Sequence, residues 1–237
     1  MQKKNPIICA IDTIDIATAK SLVGSVAPHI GAVKLGLEFF TANGASGVAQ
    51  AAGDFSLFLD LKFHDIPNTV AGAIRATAGI NSFMMTVHTA GGKAMMQAAS
   101  AAAKTLPNMP LIVGVTVLTS LDGADLENIG VNAKLQDQVR RLASLAQESG
   151  LDGVVCSAHE IEIIRETCGK DFKLVVPGIR PAGSNIGDQK RVMTPSEALA
   201  KGADYLVIGR PITEAKNPSQ AAQEISGEII ANLPNLG

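Results

Sequence analysis

The chain has 237 residues, 46% of them hydrophobic and 18% charged, enough apolar material for one large domain or two small ones. Its net charge is −2, and its basic doublets (Lys3-Lys4, Arg140-Arg141, Lys190-Arg191) are short and scattered, which excludes a nucleic-acid footprint. Without Trp, and with one Tyr and seven Phe, it is not expected to use stacking of bases or sugars as its main recognition device, so recognition must rest on backbone, amide and charged groups. Three cysteines form no CxxC and cannot all pair, as suits a reducing compartment. The apolar run Ile7–Ile11 is too short for a leader or a membrane span, so a soluble, cytoplasmic protein with no membrane partner is expected.

Along the chain, apolar runs predict strands at Ile7–Ile11, Ala32–Gly36, Ser56–Lys62, Phe83–His88, Leu111–Val117, Gly153–Cys156, Lys173–Pro177 and Tyr205–Gly209. Helical patterns lie between them. Leu135, Val139, Leu142 and Leu145 or Ala146 share one helical face, and Gly150 is placed to end that helix. Ser157 with Glu160 reads as a capping box after a strand, with Gly169 as the stop. Thr194-Pro195-Ser196-Glu197 is a second capping box, with Gly202 as its stop. Alternating strand–helix units without linker, repeat or low-complexity tract predict an α/β fold, a single (β/α)8 TIM barrel over residues 1–237. A doubly wound open sheet is the alternative, but Ala10-Ile11-Asp12-Thr13 lacks the glycine-rich fingerprint expected after its first strand.

Barrel sites lie at the C-terminal ends of the strands, and this sequence repeatedly places polar groups there. Asp12 ends the first strand, Lys34 sits in the second, and Asp60 and Lys62 end the third, one pleat apart on the same face. Asp65 follows in the turn before Pro67, His88 ends strand four, and strand five runs into Thr119-Ser120. Each has a plain structural explanation: Asp12 as a helix cap, Lys34 reaching out of the barrel end, His88 as a hydrogen-bonded core residue, Asp60 with Lys62 as an ion pair. Together, Lys34, Asp60, Lys62 and Asp65 suggest an alternating network in which each charge offsets its neighbours' desolvation.

Strands seven and eight end in Pro177-Gly178-Ile179-Arg180 and Ile208-Gly209-Arg210-Pro211. Loops at these positions in barrels often hold phosphate: Gly209 allows close backbone approach and Arg210 offers a bidentate fork. The plain alternative is a tight turn with an exposed arginine. The segment Pro181–Arg191, rich in Gly, Ser and Asn, is expected to close over a ligand and bring Gln189 to it.

Zinc is not expected, because neither HxxH, HExxH nor a cysteine cluster occurs. Asp60 and Asp65 could hold Mg²⁺, but Lys62 competes for the same carboxylates. A Schiff base on Lys34 or Lys62 needs a depressed lysine pKa, whereas flanking carboxylates raise it. A lysine kept protonated is better suited to donating a proton.

From Ala10-Ile11-Asp12 to Val207-Ile208-Gly209-Arg210-Pro211 the chain resembles the bacterial orotidine 5′-phosphate decarboxylases. The most specific segment is Asp60-Leu61-Lys62-Phe63-His64-Asp65-Ile66-Pro67-Asn68-Thr69, supported by Val115-Thr116-Val117-Leu118-Thr119-Ser120 and Pro177-Gly178-Ile179-Arg180-Pro181. The Asp-x-Lys-x-x-Asp core is shared with sister phosphosugar enzymes, which carry a metal-binding Glu on strand two where this sequence has Lys34. Ile11 stands where the family commonly has Leu. The resemblance implies conversion of orotidine 5′-phosphate to UMP and CO₂ in pyrimidine biosynthesis, with no cofactor and no metal. It also implies that Lys62 protonates C6, that Asp60 lies beside the scissile carboxylate, and that Asp12 and Lys34 contact the ribose. Thr119 and Ser120 would meet the ribose–base region, and Arg180, Gln189, Gly209 and Arg210 the phosphate. Asp65 and Thr69 would reach into a neighbouring subunit's site, making a homodimer with shared sites. A Mg²⁺-dependent sugar-phosphate decarboxylase or aldolase, and a nucleotide-binding protein without activity, are the alternatives.

Overall fold

The computed structural model describes residues 5–181 and 193–232. Eight parallel strands follow one another around a closed barrel: β1 (Ile7–Ala10), β2 (Ala32–Gly36), β3 (Leu57–Phe63), β4 (Ser82–His88), β5 (Leu111–Val115), β6 (Gly153–Val155), β7 (Lys173–Pro177) and β8 (Tyr205–Ile208). β1 pairs with β2 on one side and β8 on the other, so no cut divides the chain into two folding units. The predicted barrel is therefore correct and the open sheet is not.

The helices return the chain over the outside: α1 (Ile16–Val26), α2 (Leu37–Ala52), α3 (Pro67–Ala76), α4 (Gly92–Ala103), α5 (Gly123–Asn128), α6 (Leu135–Glu148), α7 (Ile161–Cys168), α8 (Pro195–Ala200), the single turn α9 (Arg210–Thr213) and α10 (Pro218–Asn232). The predicted face of α6 is the buried one: Val139, Leu142, Ala143 and Ala146 are buried, while Leu135 and Leu145 pack at its edge. Gly150 and Gly169, at φ +77° each, end α6 and α7 in a conformation that disfavours other residues. The second capping box forms, Thr194 and Glu197 exchanging bonds ahead of α8. In the first, the Ser157 N–H donates to Glu160 at 2.8 Å, and the Glu160 N–H returns to the Ser157 carbonyl rather than to its hydroxyl. At the first box a short 3₁₀ turn, Ala158–Glu160, precedes the α-helix.

Strand alternation builds two cores. Ile7, Cys9, Val33, Leu35, Leu57, Leu59, Met85 and Val87 point outward against the helices. Ile8, Ala10, Ala32, Phe58, Met84, Val113, Val175 and Val207 fill the barrel interior. This interior layer lies directly below the polar mouth. β5 stops at Val115, two residues short of the expected Val117; the Thr116 N–H (3.4 Å) and hydroxyl (3.1 Å) both donate to Val155 O, and the chain then turns through Leu118–Leu121. Cys9, Cys156 and Cys168 are buried free thiols. Among the described residues no helix is long and apolar enough to cross a membrane.

Candidate active site

The same alternation that fills the interior with Ala32, Phe58 and Met84 puts Lys34, Asp60 and Thr86 two residues further along, still inward but one layer nearer the C-terminal mouth. Strand pairing sets Gly36 beside Asp60 and Lys34 beside Phe58. Lys34 Nζ reaches Asp60 Oδ2 at 3.3 Å, and Lys62 Nζ reaches Asp60 Oδ1 at 2.9 Å. A Cβ at position 36 would come within 3.3 Å of Lys34 Nζ, so glycine there leaves the ammonium its place. The predicted Asp60–Lys62 contact forms, although not by plain pleat alternation: Lys62 has φ +51°, and β3 is bulged between Leu59 and Phe63.

Asp60 is buried at 8% exposure. Burial raises its carboxyl, but the ammonium groups of Lys34 and Lys62 and the hydrogen bonds from Lys62 and Thr86 outweigh that and hold it below the usual carboxylate range. Asp60 therefore stays ionised. Asp12 is a looser member, 3.9 Å from Lys34 and largely exposed. It does not cap α1; Asp15 does, accepting the Thr18 N–H at 2.7 Å. Below Asp12, burial and that carboxylate push the Cys9 thiol up to about 12, which makes it a packing group rather than a nucleophile.

Lys34, Asp60 and Lys62 form the polar end of a cavity of about 220 Å³. Its other walls are apolar, including Val115, Val117, Val155 and Val207, with Thr119 at the rim. Ser120 is exposed beyond that rim. His88 lies half-buried at the end of β4, tilted against His64 with ring centroids 5.3 Å apart. Burial first, then His64 and Lys62, lower its pKa, and Asp60 opposes them.

On the side expected to bind phosphate, Arg180 is buried, donating to its neighbour's carbonyl (Ile179 O, 3.0 Å), while its N–H holds Met193 O at 3.1 Å. Gly209 follows β8, and a Cβ there would meet nothing nearer than Ala10 Cβ at 3.5 Å, so packing within the chain does not demand glycine. Arg210 is exposed at the start of α9. Gln189 and nearly all of the segment 181–191 lie outside the described residues. Asp65 and Thr69 are exposed at the start of α3, and Asp65 Oδ1 accepts the Ile66 N–H. Within one chain the structure thus joins Lys34, Asp60, Lys62 and Asp12, and leaves Asp65 outside that cluster. Sequence reasoning passed over Thr86, whose hydroxyl bonds both Asp60 and the Lys62 backbone. Its signal was a polar residue following Met84 on the inward face of β4, in the middle of the strand rather than at its ends.

A closed parallel barrel with a charged cluster lining a cavity at the C-terminal strand ends defines the class of (β/α)8-barrel enzymes. Within that class the chain belongs to the Orotidine 5′-phosphate decarboxylase / HUMPS family, whose model matches residues 5–225. It is 53% identical over 234 residues to an orotidine 5′-phosphate decarboxylase from Rhodospirillum rubrum, covering 96% of this chain and 95% of that one. A Paramagnetospirillum magneticum protein of the same name is 52% identical, over 95% of this chain and 98% of its own. Among solved structures, the orotidine 5′-phosphate decarboxylase from Lactobacillus acidophilus superposes with a TM-score of 0.85 at 35% identity, covering 95% of this chain and 99% of that one.

Proposed function

We propose that the chain decarboxylates orotidine 5′-phosphate to UMP and CO₂ without a cofactor, as a cytoplasmic step of pyrimidine biosynthesis. The observation that carries the reading is the Lys34–Asp60–Lys62 cluster, its central Asp60 buried, at the polar end of an otherwise apolar cavity, in a chain whose relatives at about half identity bear that enzyme's name. The metal-dependent alternative is less well supported, because both Asp60 oxygens are engaged by ammonium groups and strand two offers Lys34 rather than a carboxylate.

The chemistry follows from charge. Breaking the bond between C6 and the carboxylate leaves its electron pair on C6, and the protein must stabilise that carbanion electrostatically. Asp60, placed beside the departing carboxylate, opposes it: two like charges at about 4 Å in an effective dielectric near 20 repel by roughly 4 kcal/mol. The Lys62 ammonium attracts the developing carbanion and then transfers a proton to C6, recovering one later from water. Apolar walls at Val115, Val155 and Val207 keep the dielectric low around this step. Asp12 and Lys34 are assigned to the ribose, Thr119 and Ser120 to the ribose–base region, and Arg180, Gln189, Gly209 and Arg210 to the phosphate. Binding there, remote from the reacting carbon, supplies energy for organising the site.

The experiment is direct. Purified, EDTA-treated protein is expected to bleach the absorbance of orotidine 5′-phosphate. Loss of turnover on EDTA treatment, restored by Mg²⁺, would favour the metal-dependent reading, and UMP binding without turnover the non-catalytic one.

The proposal includes a homodimer in which Asp65 and Thr69 complete the partner subunit's site. Ile66, an apolar residue left 67% exposed between exposed Asp65 and Pro67, supports a covered surface at this turn. Mixing Asp65→Ala with Lys62→Ala subunits should regenerate one intact site per hybrid dimer and hence partial activity; mixtures no more active than either parent would exclude shared sites.

A further inference from the structure

β3 and β4 fall out of step beside the charged cluster. Leu59 pairs with Met85 and Phe63 with Val87, so Asp60, Leu61 and Lys62 of β3 stand opposite the single residue Thr86 of β4. A bulge of this kind interrupts the regular ladder and re-aims side chains on the bulged strand. Here it carries Lys62 to φ +51°, a left-handed conformation that a long side chain keeps only where its surroundings hold it.

One hydroxyl provides that hold. Thr86 is wholly buried, and its Oγ1 accepts the Lys62 N–H at 2.8 Å while donating to Asp60 Oδ1 at 3.0 Å. The same Oδ1 accepts from Lys62 Nζ at 2.9 Å, closing a ring of three residues. Its direction is forced: an N–H can only donate and an ionised carboxylate can only accept, so the hydroxyl has one orientation that satisfies both. Asp60 is also faced by Lys34 from β2, with Asp12 beyond it, and His88 and His64 lie beside Lys62. Among the described residues, however, only Thr86 ties the Lys62 backbone to the Asp60 carboxylate.

We infer that Thr86 is a positioning residue that holds Asp60 and Lys62 as a reacting pair, an inference that rests on the decarboxylase reading above. The hydroxyl touches neither substrate nor cofactor in this role. It fixes where the bulge aims Lys62, and it adds to the hold of the two ammonium groups on the ionised Asp60, since a hydrogen bond to the charged form lowers a carboxyl pKa. A misplacement of the order of 1 Å at such a pair is costly to the chemical step and nearly neutral for substrate binding.

Thr86→Val keeps the shape of the side chain and deletes the hydroxyl; Thr86→Ser keeps the hydroxyl. The expected result for Thr86→Val is a kcat lowered by about tenfold or more with KM within about twofold of wild type. Its Asp60 carboxyl, followed by carbon NMR, should titrate at higher pH than in wild type. Thr86→Ser should return both measurements toward wild type. Wild-type kcat and Asp60 titration in folded Thr86→Val, or equal impairment of the two variants, would overturn the inference. Should Thr86→Val fail to fold, Thr86→Cys, with its weak thiol donor, is compared with Thr86→Ser by the same two readings. The titration needs no turnover, so failure of the wild type to decarboxylate would refute the enzymatic reading while the hold of Thr86 on Asp60 is still measured.

Discussion

Two clusters in this barrel share a recipe, one aspartate between two cations, at opposite ends of the strands. At the N-terminal end, Asp204 ahead of β8 meets Arg165 of α7 and Lys173 at the start of β7. Asp204 also accepts the Leu174 N–H at 2.9 Å, and Arg165 donates to the carbonyls of Gly169, Phe172 and Gly202. These charges satisfy main-chain groups at the joins between α7, β7 and β8. At the C-terminal end, the Asp60 carboxylate meets only side chains among the described residues, and both of its lysines border the cavity. A charge bonded to backbone fastens the fold. A charge held by other charges at a cavity wall remains available to a ligand, and this difference predicts opposite responses to mutation.

The largest expected effect is at the mouth. Lys62→Ala should lower kcat by on the order of 10²–10⁴-fold or more, the range for losing a positioned proton donor, while the urea midpoint stays near wild type. A variant that loses stability but keeps its turnover would place Lys62 with the structural cluster and break the comparison. Asp204→Ala should do the reverse. It strips Arg165 and the Leu174 N–H of a partly buried acceptor, with an expected loss of about 1–3 kcal/mol in urea unfolding and unchanged kcat for the molecules that remain folded. A fall in kcat at full stability would show that the two ends of the barrel are coupled.

The two clusters also differ in how far sequence revealed them. Strand positions were legible because the apolar runs are short and continuous and most end on glycine, proline or charge, and the mouth residues were legible because charge at the end of a core strand demands a partner. Asp60 and Lys62 stand two residues apart, so their meeting could be read locally. The bulge could not: it depends on Thr86, 24 residues away from Lys62, and on a register that exists only once β3 and β4 pair. Asp12 as a helix cap failed for a local reason, since Asp15 stands three residues before Thr18, the spacing the cap requires. The Asp204 cluster went unnoticed because Arg165, Lys173 and Asp204 sit at element starts and ends where isolated charges are ordinary; only closure of the barrel brings them together.

The smallest expected effect sharpens the comparison through pH. Crowding of cations at the mouth reaches beyond the lysines to His88, whose pKa is lowered by burial first and then by His64 and Lys62, against the pull of Asp60. A histidine with a folded pKa below its unfolded value binds more protons unfolded than folded, so stability rises with pH between the two values. Stability is therefore full above the unfolded value, about 6.5, and declines as pH falls toward the folded one. Below the folded value both states are protonated and this source of pH dependence ends. Urea midpoints measured in steps from neutral to mildly acidic pH should fall for the wild type, and His88→Gln should flatten that segment of the profile. The Asp204→Ala variant, altered at the far end of the barrel, should keep the wild-type slope at a lower overall midpoint. If His88→Gln retains the full slope, the acid sensitivity arises elsewhere than from the burial and charged surroundings of His88.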